Sequence, residues 1–148
     1  MTALSDRPVA ARRFGQALVA ALLLLHVLLA VWAIVGLIEW FLPAVPWPRV
    51  SNPLFPPYVL LLQWLLILIA AGTFILGYAR RWRRTPEAML AAYAAMACLC
   101  AIETFWFLQH QARFIEMFVE YLEYAAVLVF LFNGGVMRER FRRDAKRL

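Results

Sequence analysis

Long apolar blocks separated by short polar punctuation dominate this chain. Four blocks stand out, at roughly 14–42, 58–79, 87–108 and 114–137. A helix needs about 20 apolar residues to cross a bilayer core, so each block is long enough to span one. The pattern predicts an all-α membrane protein: a four-transmembrane-helix bundle running up, down, up, down, as one domain over residues 1–148. Little chain remains outside the blocks, so function is expected among the helices or at their ends.

The punctuation places the turns. The first block ends at Trp40-Phe41-Leu42-Pro43, where proline stops a helix. The following segment, 43–57, holds six of the eight prolines, which favour an extended, semi-rigid path. Trp40, Trp47, Tyr58 and Trp64 are expected near that interface as an aromatic belt. The second block closes at Arg80-Arg81-Trp82-Arg83-Arg84. Thr85-Pro86-Glu87 then predicts a helix start, with Thr85 as N-cap, proline at the first position and Glu87 in the first turn.

The third block is rich in small residues: Ala88, Ala91, Ala92, Ala94, Ala95, Ala97, Cys98, Cys100 and Ala101. Small residues let membrane helices approach closely, so this helix is expected to be central or tightly paired. The connection from Gln109 to Arg113 is short and predicts an antiparallel hairpin with the fourth block. Asn133-Gly134-Gly135 predicts a loosened last turn before a basic tail at 138–148.

Composition fits this picture. The chain is 65% hydrophobic, against about 45–50% for soluble domains. Its net charge of +6 would suit a polyanion, but the placement points elsewhere. Arg7, Arg12 and Arg13 precede the first block, and Arg80, Arg81, Arg83 and Arg84 fill the second turn. Arg138, Arg140, Arg142, Arg143, Lys146 and Arg147 follow the last block, leaving only Arg49 and Arg113 on the other side. Thirteen of 15 basic residues on one side follow the positive-inside rule. Both termini are therefore expected in the cytoplasm of a bacterial-type inner membrane, with the proline-rich loop 43–57 periplasmic. The basic tail is expected to touch anionic lipid at about 1 kcal/mol per basic residue, and no nucleic-acid partner is expected. The first block outruns the ~7–15 residues of a signal-peptide core and is expected to stay uncleaved. Cys98 and Cys100 point about 200° apart on a helix, so they are expected to be packing residues.

The candidate chemistry is acidic. A carboxylate in hydrocarbon costs roughly 2.5–3.5 kcal/mol by insertion scales, yet Glu103, Glu116, Glu120 and Glu123 all fall within the blocks. The last three lie within about 60° of arc on one helix face. Glu103 and His110, seven residues apart, share a face of the third block. At 1.5 Å per residue, Glu103 lies ~9 Å and Glu120 ~10 Å below the hairpin turn, so the two come level, with Glu123 deeper at ~15 Å. Glu116 lies shallower, near His110 and Arg113. Gln63 reaches a similar depth to Glu103, and Glu39 ends the first block at the same interface. Carboxylates this close cannot all ionise, so some are expected to be neutral at pH 7 and to donate hydrogen bonds.

Several uses are consistent with the patch. It would handle protons or a cationic ligand, or fix the polar head of a lipid-like or isoprenoid molecule. A carboxylate–imidazole metal site would draw on Glu103, His110, Glu116 and Glu120, although the Glu-x-x-His repeat of di-iron bundles is absent. The structural alternative is interhelical hydrogen bonding worth about 0.6 kcal/mol each, with Glu116 paired to Arg113. His26, deep in the first block, is expected to make one hydrogen bond across helices. Its depth does not match His110, so a bis-histidine haem is not expected. No Ser-His-Asp set, glycine-rich phosphate loop or Cys/His metal spacing appears.

His26 in the first block, Trp82-Arg83-Arg84-Thr85-Pro86 before the third, cytoplasmic termini and buried acids together resemble the EXPERA group of four-span proteins, which includes emopamil-binding and sigma-2-type receptors. The resemblance implies sterol isomerisation or sterol-like ligand binding. That group's acids in the first two spans have no counterpart here, where the nearest polar residue is Gln63. The residues therefore favour a small, non-catalytic inner-membrane protein whose acidic patch handles a ligand or protons, within a larger assembly of membrane subunits. The alternatives are a membrane enzyme or binding protein for a lipid, isoprenoid or sterol-like molecule using Glu103 and Glu120, and a carboxylate–histidine metal site.

Overall fold

The computed structural model describes residues 9–44 and 50–142, which form five α-helices and, among the described residues, no strand. The helices are α1 (Val9–Phe41), α2 (Pro57–Ala79), α3 (Thr85–Ile102), α4 (Arg113–Asn133) and α5 (Gly135–Arg142), with a π-helical turn over Glu103–Phe107 continuing α3. Arg7, Trp47, Arg49, Arg143, Lys146 and Arg147 lie outside the described residues.

Three stretches are long and apolar enough to cross a membrane: Arg13–Phe41, Pro57–Ala79 and Thr85–Phe107. The fourth block departs from the expectation of one apolar span over 114–137. It is helical for 21 residues, but Arg113, Glu116, Glu120 and Glu123 crowd it with charge. It also stops at Gly134, whose backbone is extended at ψ 120° and whose N–H bonds Phe130 O at 2.7 Å. A second helix then follows where a loosened turn and a tail were expected. Its Met137 and Phe141 are buried in a core with Val19, Phe74, Met89, Tyr93 and Leu131, so α5 is held to the bundle by its apolar face.

The close approaches are not where the alanine run placed them. α2, not α3, packs broadly against both neighbours. Trp64 is buried inside the bundle. Its indole lies flat on Gly36, where a Cβ would overlap the ring; Gly77 likewise leaves room only for the side chain of Thr85. On α3, Ala92 is buried, while Ala91, Ala94 and Cys98 are exposed. A helix that is small all round presents no preferred face by size, so its neighbours decide which side packs. Cys98 and Cys100 are unbonded, one exposed and one buried.

Two turns carry hydrogen bonds that the sequence pattern missed. Thr85 does not cap α3. Its hydroxyl donates to Trp82 O at 2.6 Å, and the helix starts after Arg84 without a side-chain cap, although Pro86 and Glu87 stand where expected. Glu39, at the end of α1, accepts from Val50 N–H at 2.9 Å, Ser51 N–H at 3.1 Å and Ser51 Oγ at 3.2 Å. Trp64 Nε1 donates to the same Ser51 hydroxyl at 3.2 Å, so one carboxylate ties the returning loop to α1 and α2. Removing an acceptor that serves half-buried donors costs about 1–3 kcal/mol. Glu39→Ala is expected to lower stability in detergent by about that amount, with Glu39→Gln intermediate. Glu87→Ala, at an exposed site, is expected to lie within about 0.5 kcal/mol of wild type. Thermal unfolding of the three variants checks this.

Candidate functional site

The acid cluster is positioned by the irregular end of α3. The π-helical turn begins at Glu103, where Leu108 N–H reaches back five residues to Glu103 O at 3.0 Å. Such single π turns recur at functional sites. This one leaves Glu103 and Thr104 buried and turns Phe105 and Trp106 outward.

Glu103 and Glu120 line one cavity of about 60 Å³, together with Gln63, Cys100, Met96 and Tyr124. The two carboxyls are served differently. Glu120 accepts from Cys100 Sγ at 3.2 Å through one oxygen and from the Tyr124 hydroxyl through the other. Glu103 is only 9% exposed, and its Oε1 is buried with no hydrogen-bond partner in the protein. An unsatisfied buried polar atom is costly and calls for an explanation. Here it is an unpartnered carboxyl oxygen on a cavity whose other polar groups are a second carboxyl, an amide, and the thiol and phenol hydroxyl that already serve that second carboxyl.

A polar chain leads from this cavity toward α1. Tyr124 stacks on Tyr93, with ring centroids 4.9 Å apart and planes 12° apart. Tyr93 Oη is 3.0 Å from His26 Nε2, and His26 Nδ1 is 2.7 Å from Leu22 O. A carbonyl only accepts, so Nδ1 carries a proton; when the imidazole is neutral, Nε2 accepts from the Tyr93 hydroxyl. His26 is fully buried and also stacks on Phe74 at 4.1 Å. The tyrosine hydroxyls point to opposite partners, one to His26 and one to Glu120. The stack therefore fixes ring positions and carries no proton between them. Tyr121 adds a cross-helix bond to Ala97 O at 2.8 Å.

The remaining candidates stand apart. His110 lies in the turn after the π helix and pairs with Glu116 at 3.4 Å, both side chains being well exposed. Arg113, the partner expected for Glu116, donates instead to Leu108 O at 2.5 Å and lies over the Phe114 ring. Glu123 is exposed on the outer face of α4, away from the cavity. Although Glu116, Glu120 and Glu123 share an arc, the boundary between inside and outside runs through it, and only Glu120 turns in. Among the described residues no three histidine, cysteine or acidic side chains converge as a metal site would need. His110 therefore joins Glu116 and not Glu103 or Glu120, and Glu103 and His110 do not share a face once the helix has widened and ended.

Tyr93 and Tyr124 were not singled out by the sequence pattern, and Cys100 was expected only to pack, whereas it donates to Glu120. The spacing held a signal: Tyr124 follows Glu120 by four residues and Cys100 precedes Glu103 by three, both same-face separations on a helix. Compared with protein-family models, with curated proteins and with solved structures, the chain matches none.

Proposed function

We propose that this chain is a non-catalytic, four-span inner-membrane protein with both termini cytoplasmic, whose Glu103–Glu120 pair holds and releases a proton. The observation that carries the reading is the unpartnered Glu103 Oε1 on the cavity it shares with Glu120. Cavity size selects among the uses of the acids. A drug-sized organic ligand occupies about 300–1,000 Å³, whereas this cavity holds about 60 Å³. Water takes up about 30 Å³ in the liquid, so the space matches about two waters or a small cation, and it is too small to enclose a whole sterol or isoprenoid. Two ionised carboxylates in low dielectric repel strongly. A proton on Glu103 relieves that repulsion and gives the unpartnered oxygen a bond to donate, directly or through water, toward Glu120.

The four-span topology is supported by what α4 joins. It starts just after the far end of α3, and its Leu131 meets Val19, Phe74 and Met89, near the arginine-rich turn. The charges that keep α4 from reading as apolar are those of the acid cluster and of the turn. Exposed Glu123 sits among exposed Phe118, Val119 and Leu122. A carboxylate facing hydrocarbon there is costly, which supports a further membrane subunit on this face.

Two experiments test the reading. In a background with Cys98→Ala and Cys100→Ala, a label at Leu54→Cys and one at an added C-terminal cysteine are expected to react from opposite sides of the membrane. Reaction from the same side refutes the four-span arrangement. In nanodiscs, wild type is expected to take up one more proton than Glu103→Gln between pH 9 and pH 5, a window above the ~4.3 at which a solvated glutamate titrates. Equal uptake refutes the proton reading.

A further inference from the structure

At the other end of the molecule, the turn between α2 and α3 carries four arginines and closes on itself in an unusual way. Trp82 N–H bonds Gly77 O at 2.8 Å and Arg81 N–H bonds Tyr78 O at 3.3 Å, the paired bonds of a Schellman helix end. The left-handed residue of that motif is usually glycine. Here it is Arg81, at φ 54°. Backbone geometry alone favours glycine there.

Arg80, Arg81 and Arg83 line a cavity of about 560 Å³ with Thr73, Leu76, Gly77 and Trp82. No acidic residue borders it. Among the described residues, none of the three guanidinium groups makes a side-chain hydrogen bond or ion pair, whereas nearby Arg140 is engaged over the Tyr78 ring and at Tyr78 O. The cavity opens onto an apolar lane. Leu76 is 56% exposed, and Ile69 and Leu62, each seven residues further back along α2, are 55% and 47% exposed. Residues seven apart lie on one helix face, so the lane runs from the arginines along the side of α2.

We propose that this turn is a binding site for an anionic phospholipid: Arg80, Arg81 and Arg83 hold the phosphate, Trp82 lies beside the glycerol region, and an acyl chain follows Leu76, Ile69 and Leu62. Charge complementarity selects a phosphate, because guanidinium forks match its oxygens. The lane selects a lipid over a free phosphate, which would make no use of it. Basic pockets at the cytoplasmic side of membrane helices suit such head groups. The proposal stands independently of the acid pair.

Native mass spectrometry of the full chain in detergent, titrated with phosphatidylglycerol or phosphatidylcholine, tests it. Wild type is expected to retain phosphatidylglycerol preferentially. Affinity is expected to fall roughly fivefold for each arginine removed, and so about 25-fold in Arg80→Gln/Arg83→Gln, while Arg113→Gln, at the start of α4, changes it less than twofold. Arg81 also borders a second cavity with Glu139 and Arg140, so Arg81→Gly is a separate probe. It is expected to unfold at the same or a higher temperature than wild type in lipid-free detergent and yet to bind phosphatidylglycerol more weakly. Equal affinity for the two lipids, or equal phosphatidylglycerol affinity in wild type and both turn variants, overturns the proposal. Competition by glycerol phosphate as effective as the lipid itself marks a free-phosphate site and overturns the lipid assignment.

Discussion

Leucine at Gly36 is expected to separate α1 from α2 and to leave little folded protein. A Cβ alone would enter the Trp64 indole, and Trp64 is 1% exposed, so neither side has room to move. Overpacking of a tight core costs about 1–3 kcal/mol for small insertions and more when the intruder is large. Gly36→Ala is expected at the upper end of that range, and Gly36→Leu beyond it. Gly72, where a Cβ would meet nothing, is the control: Gly72→Ala is expected to hold or raise stability, because alanine suits a helix better by about 1 kcal/mol. Thermal unfolding by tryptophan fluorescence separates the cases. Equal midpoints for Gly36→Ala and Gly72→Ala would show that α1 and α2 do not meet at Trp64.

The second large effect concerns where a positive charge is tolerated. Leu99, 6% exposed, packs with Phe55 and Val59 and also borders the acid cavity, so a lysine there breaks a tight apolar contact and adds a charge while both carboxyls keep their places. Leu99→Lys is expected to cost at least ~3 kcal/mol. Glu103→Lys, one helical turn away, places the same group beside Glu120 and Gln63 on the small cavity, where a counter-charge and an amide meet it. It is expected to express and fold markedly better than Leu99→Lys. The opposite order would mean that Glu120 does not face position 103.

The sequence made the apolar helices and their turns readable because both signals are local: an uninterrupted hydrophobic run and a proline or arginine cluster need no knowledge of neighbours. It also brought Glu103, Glu120 and Gln63 to one depth, since rise per residue is fixed and the hairpin is short. Which of three same-face glutamates turns inward was not legible. Glu116, Glu120 and Glu123 share an arc, and helix rotation relative to α3 decides the outcome. The π turn was likewise invisible, and the helix ends soon after it, so His110 stands apart from Glu103 and Glu120 and pairs with Glu116. Trp64 is expected near an interface because tryptophans gather there; that it is also packed into the core depends on the missing side chain at Gly36, which the sequence did not flag. Glu39 read only as an acid at the end of the first block and is a loop clamp, its three donors coming from Val50 and Ser51. Long-range pairing of this kind leaves no periodic trace.

The protonation of the carboxyl pair is the centre of the account, and infrared difference spectroscopy of the reconstituted protein reads it directly. At pH 7 wild type is expected to show the C=O stretch of a protonated carboxyl in an apolar setting. Glu103→Gln is expected to remove that band, and Glu120→Gln to shift it, because the neighbour that receives the proton's hydrogen bond has changed. Glu116→Gln and Glu123→Gln are expected to leave it unaltered. A spectrum at pH 7 with ionised carboxylates alone, titrating as solvated glutamates do near ~4.3, would contradict the account.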